Sequence, residues 1–150
     1  MTIAELNRRV QSIDLAALKT DAFDAVKDDI VIFNREQLAK GKKSDGEDLG
    51  DYGGSYREER ANAGYQVDYV DLKRTGKFYE SIYAQLEGDE FEIFNTDNAE
   101  KVQALIFGGN GVRKGGFGEE IFGLTDENKE KTKELSTDEI ITIVKNITNL

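Results

Sequence analysis

Ser81-Ile82-Tyr83-Ala84-Gln85-Leu86-Glu87-Gly88-Asp89-Glu90-Phe91-Glu92-Ile93-Phe94-Asn95 is the stretch that decides the fold. Ile82, Ala84 and Leu86 alternate along its first half, and Phe91 and Ile93 along its second. A period of two on both sides of Gly88-Asp89 predicts antiparallel strands over 81–87 and 90–95 joined by a tight turn.

Outward from this hairpin the pattern changes to helical spacing. Upstream, residues 2–12 form a short helix: Thr2 and Glu5 are spaced as a capping box, and Ile3, Leu6 and Val10 share a face. Residues 14–40 form a longer helix with the stripe Leu15, Leu18, Ala22, Ala25, Val26, Ile30, Phe33 and Leu38, a break near Thr20-Asp21, and a stop at Gly41. Residues 41–56 hold five glycines and read as a loop. Residues 57–71, with Tyr65 and Tyr69, read as loop with some extended backbone, and 72–80 as a short helix or turn.

Downstream, residues 97–106 read as a helix with Ala99, Val102, Leu105 and Ile106 inward. Residues 108–118, with six glycines, read as a flexible loop. A last short strand is expected over 120–124, then a polar helix over 126–135. The final amphipathic helix, 136–149, is capped by Ser136 with Glu139 and faced by Ile140, Ile143, Val144 and Ile147. Helices, then a small antiparallel sheet, then helices make an α+β chain, and 150 residues suit one domain.

Composition removes several chemistries. The chain has no His, Cys, Pro or Trp. Without His or Cys there is no Ser-His-Asp or Cys-His nucleophile system, and no zinc finger, Cys-ligated iron–sulfur cluster or disulfide. Acid–base chemistry would have to use carboxylates, Lys or Tyr. With 20 basic and 30 acidic residues the formal charge is −10. That opposes nonspecific binding to nucleic acid and to anionic membrane surfaces. The apolar runs at 29–33 and 139–144 are too short to span a bilayer, and the chain is expected to be soluble.

Candidate sites each have a plain alternative. Asp45, Glu47, Asp48 and Asp51 cluster in one loop, as hard cations require, but not in the register of an EF-hand; such loops are usually only solvated. A metal-dependent phosphodiesterase built on this loop is the enzymatic reading, and a small soluble regulatory binding protein is another. Gly109 to Gly115 has the spacing G-x-G-x-x-x-G, one residue off the dinucleotide fingerprint, and Gly76-Lys77 lacks the rest of a P-loop. No cofactor is therefore expected. Tyr52, Tyr56, Tyr65, Tyr69, Phe78, Tyr79 and Tyr83 crowd 52–83; without a basic groove they point to core lids and protein contacts rather than base stacking.

The segment Asp71-Leu72-Lys73-Arg74-Thr75-Gly76-Lys77-Phe78-Tyr79-Glu80-Ser81-Ile82 resembles the L-x-x-[ST]-G-x-h-x-x-S-I segment of tailed-phage neck and tail-completion proteins, the virion-morphogenesis group. In that group the segment leads into a hairpin, followed by a short helix ending in Gly, where Lys101 to Gly109 stands here, and then by the position that Glu120 to Thr125 takes. Upstream, Asn34, Gln37, Leu38 and Gly41, then Gly46 and Tyr52, are similar to the N-x-x-Q-L-x-x-G…G…Y pattern of such proteins from Bacteroidetes phages. The Tyr-Ala, His and Pro-Ala-Arg residues of the group are missing.

The resemblance implies a non-enzymatic virion protein, assembled in the host cytoplasm as a homo-oligomeric ring at the head–tail junction or tail end. Its neighbours would be portal, adaptor or tail-tube proteins, with DNA passing through the channel and no membrane involved. A ring needs heterologous contacts that close by rotation. The loops 41–56 and 108–118 are the expected contact arms, with Tyr52, Tyr56, Arg113, Lys114 and Phe117 as interface residues and with ordering on contact. An acidic channel face would repel phosphates and let the genome slide.

Overall fold

The hairpin forms as its alternation requires. In the computed structural model, which describes residues 1–149, β1 (Ile82–Glu87) pairs antiparallel with β2 (Glu90–Asn95) around Gly88-Asp89. Ala84 lies opposite Ile93 and Leu86 opposite Phe91 on the inner face, with Ile82 and Ile93 buried. Tyr83 and Phe94 pair on the outer face, their ring centroids 6.1 Å apart. Thr96 N donates to the Ser81 carbonyl at 2.9 Å and closes the ladder. With α1 (Ile3–Gln11) and α2 (Leu15–Ala39) before it and α5 (Ala99–Phe107) and α6 (Asp126–Thr148) after it, the hairpin makes an α+β fold. It also has six helices in all among the described residues, once α3 (Gly54–Asn62) and α4 (Lys77–Glu80) are included.

α2 is the spine, packed against both β1 and α6. Asp14 caps it, accepting from Ala16 N and Ala17 N. The break expected near Thr20-Asp21 is absent, because the Thr20 hydroxyl is satisfied inside the helix, donating to the Ala16 carbonyl at 3.0 Å. Ala22, Val26, Ile30 and Leu38 are buried as the stripe predicts, while Leu15 and Ala25 are exposed. Two polar residues complete the buried face instead. Asn34 Nδ2 donates to the carbonyls of Ile121 (3.1 Å) and Gly123 (2.8 Å); Gln37 Nε2 donates to Gly123 (2.7 Å), and Gln37 Oε1 accepts from Thr125 N.

Those side chains explain a correction. Residues 120–124 are not a strand. A single 3₁₀ turn at Glu119–Ile121 is followed by backbone whose carbonyls are claimed by α2, so no ladder partner is needed. Ile121 and Leu124 drop into the core beside Ile30, Leu38, Leu49 and Ile82.

Two further expectations change. α6 runs unbroken through 136, because the Ser136 hydroxyl donates back to the Thr132 carbonyl at 2.8 Å instead of capping a new helix. Residues 54–62, within the span read as loop and extended backbone, are helical. This helix has no apolar stripe; its one buried side chain is Arg60. The capping box of α1 is present as read, Thr2 and Glu5 bonding each other's backbone N–H groups. No described helix is long and apolar enough to cross a membrane.

Candidate functional site

The 41–56 loop is folded back on the core by backbone bonds. Gly41, at φ +73, ends α2, and its carbonyl accepts from Leu49 N at 2.7 Å. A Cβ here would stand 2.8 Å from the Tyr69 ring, so the close approach requires glycine. Ser44 N donates to the Glu120 carbonyl and Val70 N to the Gly50 carbonyl, which joins the loop to the 3₁₀ turn and to the segment before α4. Leu49 is thereby buried.

Beyond it lies a polar knot centred on Asp71. Arg60 is 2% exposed. Its Nη2 meets Asp71 Oδ1 at 3.2 Å, its Nη1 donates to the Lys73 carbonyl at 2.9 Å and its Nε to the Gln66 carbonyl at 3.2 Å. Tyr52 OH donates to Asp71 Oδ1 at 2.7 Å, and the Arg60 guanidinium stacks 4.1 Å above the Tyr52 ring. Tyr79 OH donates to the Asp71 carbonyl. Burial pushes both the Tyr52 and Tyr79 phenols up; the Asp71 carboxylate adds to each. The knot holds Leu72 at φ +54, an uncommon conformation for a branched residue.

The 108–118 loop is not free either. Phe117 N donates to the Leu105 carbonyl (2.7 Å) and Gly118 N to the Ile106 carbonyl (3.0 Å), which satisfies the open end of α5. A Cβ at Gly116 would run into the Ile106 carbonyl. Arg113 Nε donates to the Gly116 carbonyl at 2.7 Å, and its Nη1 to the Leu49 carbonyl at 3.0 Å. The guanidinium lies 4.5 Å from the Phe117 ring centroid. The loop is thus held within the single chain, where the sequence predicted order only on contact; Gly108 and Gly116 serve close backbone approach.

Both loops open onto one cleft of about 640 Å³. Tyr52, Tyr56, Arg113 and Phe117 line it together, along with Val70, Leu72, Phe78 and Leu105. Lys114, the fifth expected interface residue, is exposed and outside this lining. The cations Arg60, Lys73, Arg74 and Lys101 were not singled out from the sequence as site residues, yet they line the cleft, in which Asp51 is the one lining carboxylate among the described residues. Arg60, Arg74 and Lys101 are paired with Asp71, Glu59 and Asp97; Lys73 and Arg113 are in no ion pair among the described residues. The basic groove that the sequence was read as lacking is therefore present beside Tyr52, Tyr56 and Phe78, formed by cations distant in sequence, three of them already ion-paired. Such a cleft is suited to a partner that brings carboxylates around an apolar anchor. The Asp71-Leu72-Lys73-Arg74 run was a visible signal for Lys73 and Arg74; nothing in the sequence marks Arg60 as joining them.

The acidic loop does not converge on a common point. Lys43 Nζ takes Glu47 at 3.0 Å and Asp45 at 3.4 Å, Lys42 takes Asp48 at 2.6 Å, and Asp51 faces the cleft. The hydrogen bond from Glu47 N holds the Asp45 carboxyl below its usual range, with the Lys43 ammonium adding to the effect. Among the described residues no group of three or more carboxylates is placed to hold a metal ion.

The chain matches no protein-family model, no curated protein and no solved structure.

Proposed function

We propose that this chain is a structural virion protein of a tailed bacteriophage: a ring-forming subunit of the head–tail connector, neck or tail-completion complex around the DNA channel, without catalytic activity. The observation that carries the reading is the meeting of the two glycine-rich loops, through Arg113, at one open aromatic and cationic cleft. These are the loops expected to act as contact arms, and four of the five expected interface residues are gathered there. A rigid, pre-formed contact surface loses less entropy on assembly than a floppy arm. Support also comes from the phage-like segment 71–82, whose Phe78 and Ile82 are buried at the entry to the hairpin. The net charge of −10 suits a wall past which DNA slides.

The test is reconstitution with purified portal, adaptor and tail-tube proteins of the parent phage. The chain should join one of them in a stoichiometric complex, and Tyr56→Ser with Arg74→Ser at the cleft should abolish joining without unfolding the chain. Failure to associate with any of the three would contradict the reading.

The cleft volume, which falls in the range of small-molecule sites, favours a second reading, a small regulatory binding protein. A bound organic anion that survives purification would support it.

A further inference from the structure

A second feature lies along the N-terminal half of α2. There α2, the hairpin tip and α6 enclose a mostly apolar groove of about 420 Å³, in which Leu18, Phe23, Leu86, Phe91 and Ile140 are prominent. None of the described residues fills it. The same chain carries a short helix, α1, that packs on α6 yet leaves most of its apolar face uncovered. α1 has no buried residue; Ile3 is 88% and Val10 49% exposed, with Leu6 half-buried between them. Ile3, Leu6 and Val10 stand at i, i+3 and i+7, the anchor spacing of a helix that docks in a groove.

We propose that α1 of one copy docks in the α2–hairpin–α6 groove of the next, as the repeating contact of the assembly. Charge is matched along it. α1 carries Glu5 in its first turn and Arg8 in its last. The groove offers Lys129 and Lys133 from α6 on one rim; on the hairpin side Asp89 is already bonded to Lys19 at 2.6 Å, which leaves Glu90 for an α1 cation. The contact runs between copies rather than within one. Arg9 Nη1 donates to the Thr148 carbonyl at 3.2 Å and fixes the end of α1 to the last turn of α6. Docking in a neighbour keeps that bond, whereas folding back onto the chain's own groove breaks it. A helix on one face entering a groove on another is a heterologous contact, which closes into a ring or runs on as a filament. This rests on the ring reading above but uses a different surface from the cleft.

The chain has no cysteine, so single substitutions report cleanly. Full-length Ile3→Cys and Ile140→Cys chains, both altered at exposed positions, are mixed under mild oxidation. A control mixture pairs Ile3→Cys with Tyr83→Cys on the outer hairpin face. The proposal predicts a mixed disulfide dimer at roughly ten times the control yield, since docking raises the local thiol concentration. Leu18→Glu in the Ile140→Cys chain should return the yield to control. Equal yields in the two mixtures, or a monomeric intrachain disulfide in the doubly substituted chain, would overturn it. Rings of the wild-type chain seen alongside equal yields would overturn the α1 contact and leave the ring reading standing. Strong cross-linking in dimers or open chains that never close would keep the contact and overturn the ring.

Discussion

Arg113 Nη1 donates to the Leu49 carbonyl at 3.0 Å, and this bond joins two loops 64 residues apart into one wall of the cleft. Leu49 is fully buried, so its carbonyl is a fixed point. Arg113 →Ala removes this bond, the bond to the Gly116 carbonyl and the stacking on Phe117. Because the side chain is exposed to water, the expected loss is modest, about 1–2 kcal/mol, read as a lower urea midpoint. Protease cleavage within 108–118 should rise in parallel. An unchanged midpoint and an uncut loop would show that the two loops are held independently.

Phe78 stands at the entry to the hairpin, buried against Phe122 and Tyr79. Phe78→Ala should cost about 3–5 kcal/mol, the range for deleting a buried aromatic ring. Thermal denaturation followed by circular dichroism checks it.

Tyr52 and Tyr79 are held protonated by burial, with Asp71 adding to it. Their folded pKa values lie above the unfolded value of 10. The folded chain therefore binds more protons than the unfolded one above that point. Stability from these phenols is complete below pH 10 and is lost as pH rises beyond it. In an ultraviolet titration at least these two of the six tyrosines should ionise only in the step that unfolds the chain. Tyr52→Phe with Tyr79→Phe should flatten the alkaline fall in stability. If all six ionise while the fold persists, the knot around Asp71 is open to solvent.

Neutralising Asp45, Glu47, Asp48 and Asp51 together, with Asn or Gln, should leave folding and particle assembly largely intact. The Lys42–Asp48 pair is exposed and contributes little, and Asp51 is in no ion pair among the described residues. Lys43 is buried between Asp45 and Glu47, so the substitutions there are Asp45→Asn and Glu47→Gln, whose amide oxygens still accept from its ammonium. A hydrolase activity in the native chain that disappears in this variant would establish the enzymatic reading in place of the structural one.

The hairpin was legible because its alternation and turn are local signals, and so was the buried stripe of α2 from Ala22 to Leu38. What escaped reading was fixed by side chains acting at a distance. Residues 120–124 carry strand-forming residues, but Asn34 and Gln37, more than 80 positions away, take their carbonyls. The helix at 54–62 has no apolar period because what it buries is a guanidinium, Arg60, whose partners lie at 66, 71 and 73. Ser136 has the spacing of a cap, yet a serine inside a helix satisfies itself on the preceding turn. At the site, the aromatic residues and Arg113 were readable from composition and loop position. The cleft cations were not, since Arg60, Arg74 and Lys101 are set by separate carboxylates, Asp71, Glu59 and Asp97.

The central claim is assembly into a closed ring, and electron microscopy of the wild-type chain tests it most directly, both alone at high concentration and bound to its portal or adaptor. The account predicts closed rings of this chain around a central channel, with the cleft at Tyr52, Tyr56 and Arg113 covered by a neighbouring subunit. A chain that stays monomeric under both conditions, its cleft open to solvent, would contradict it.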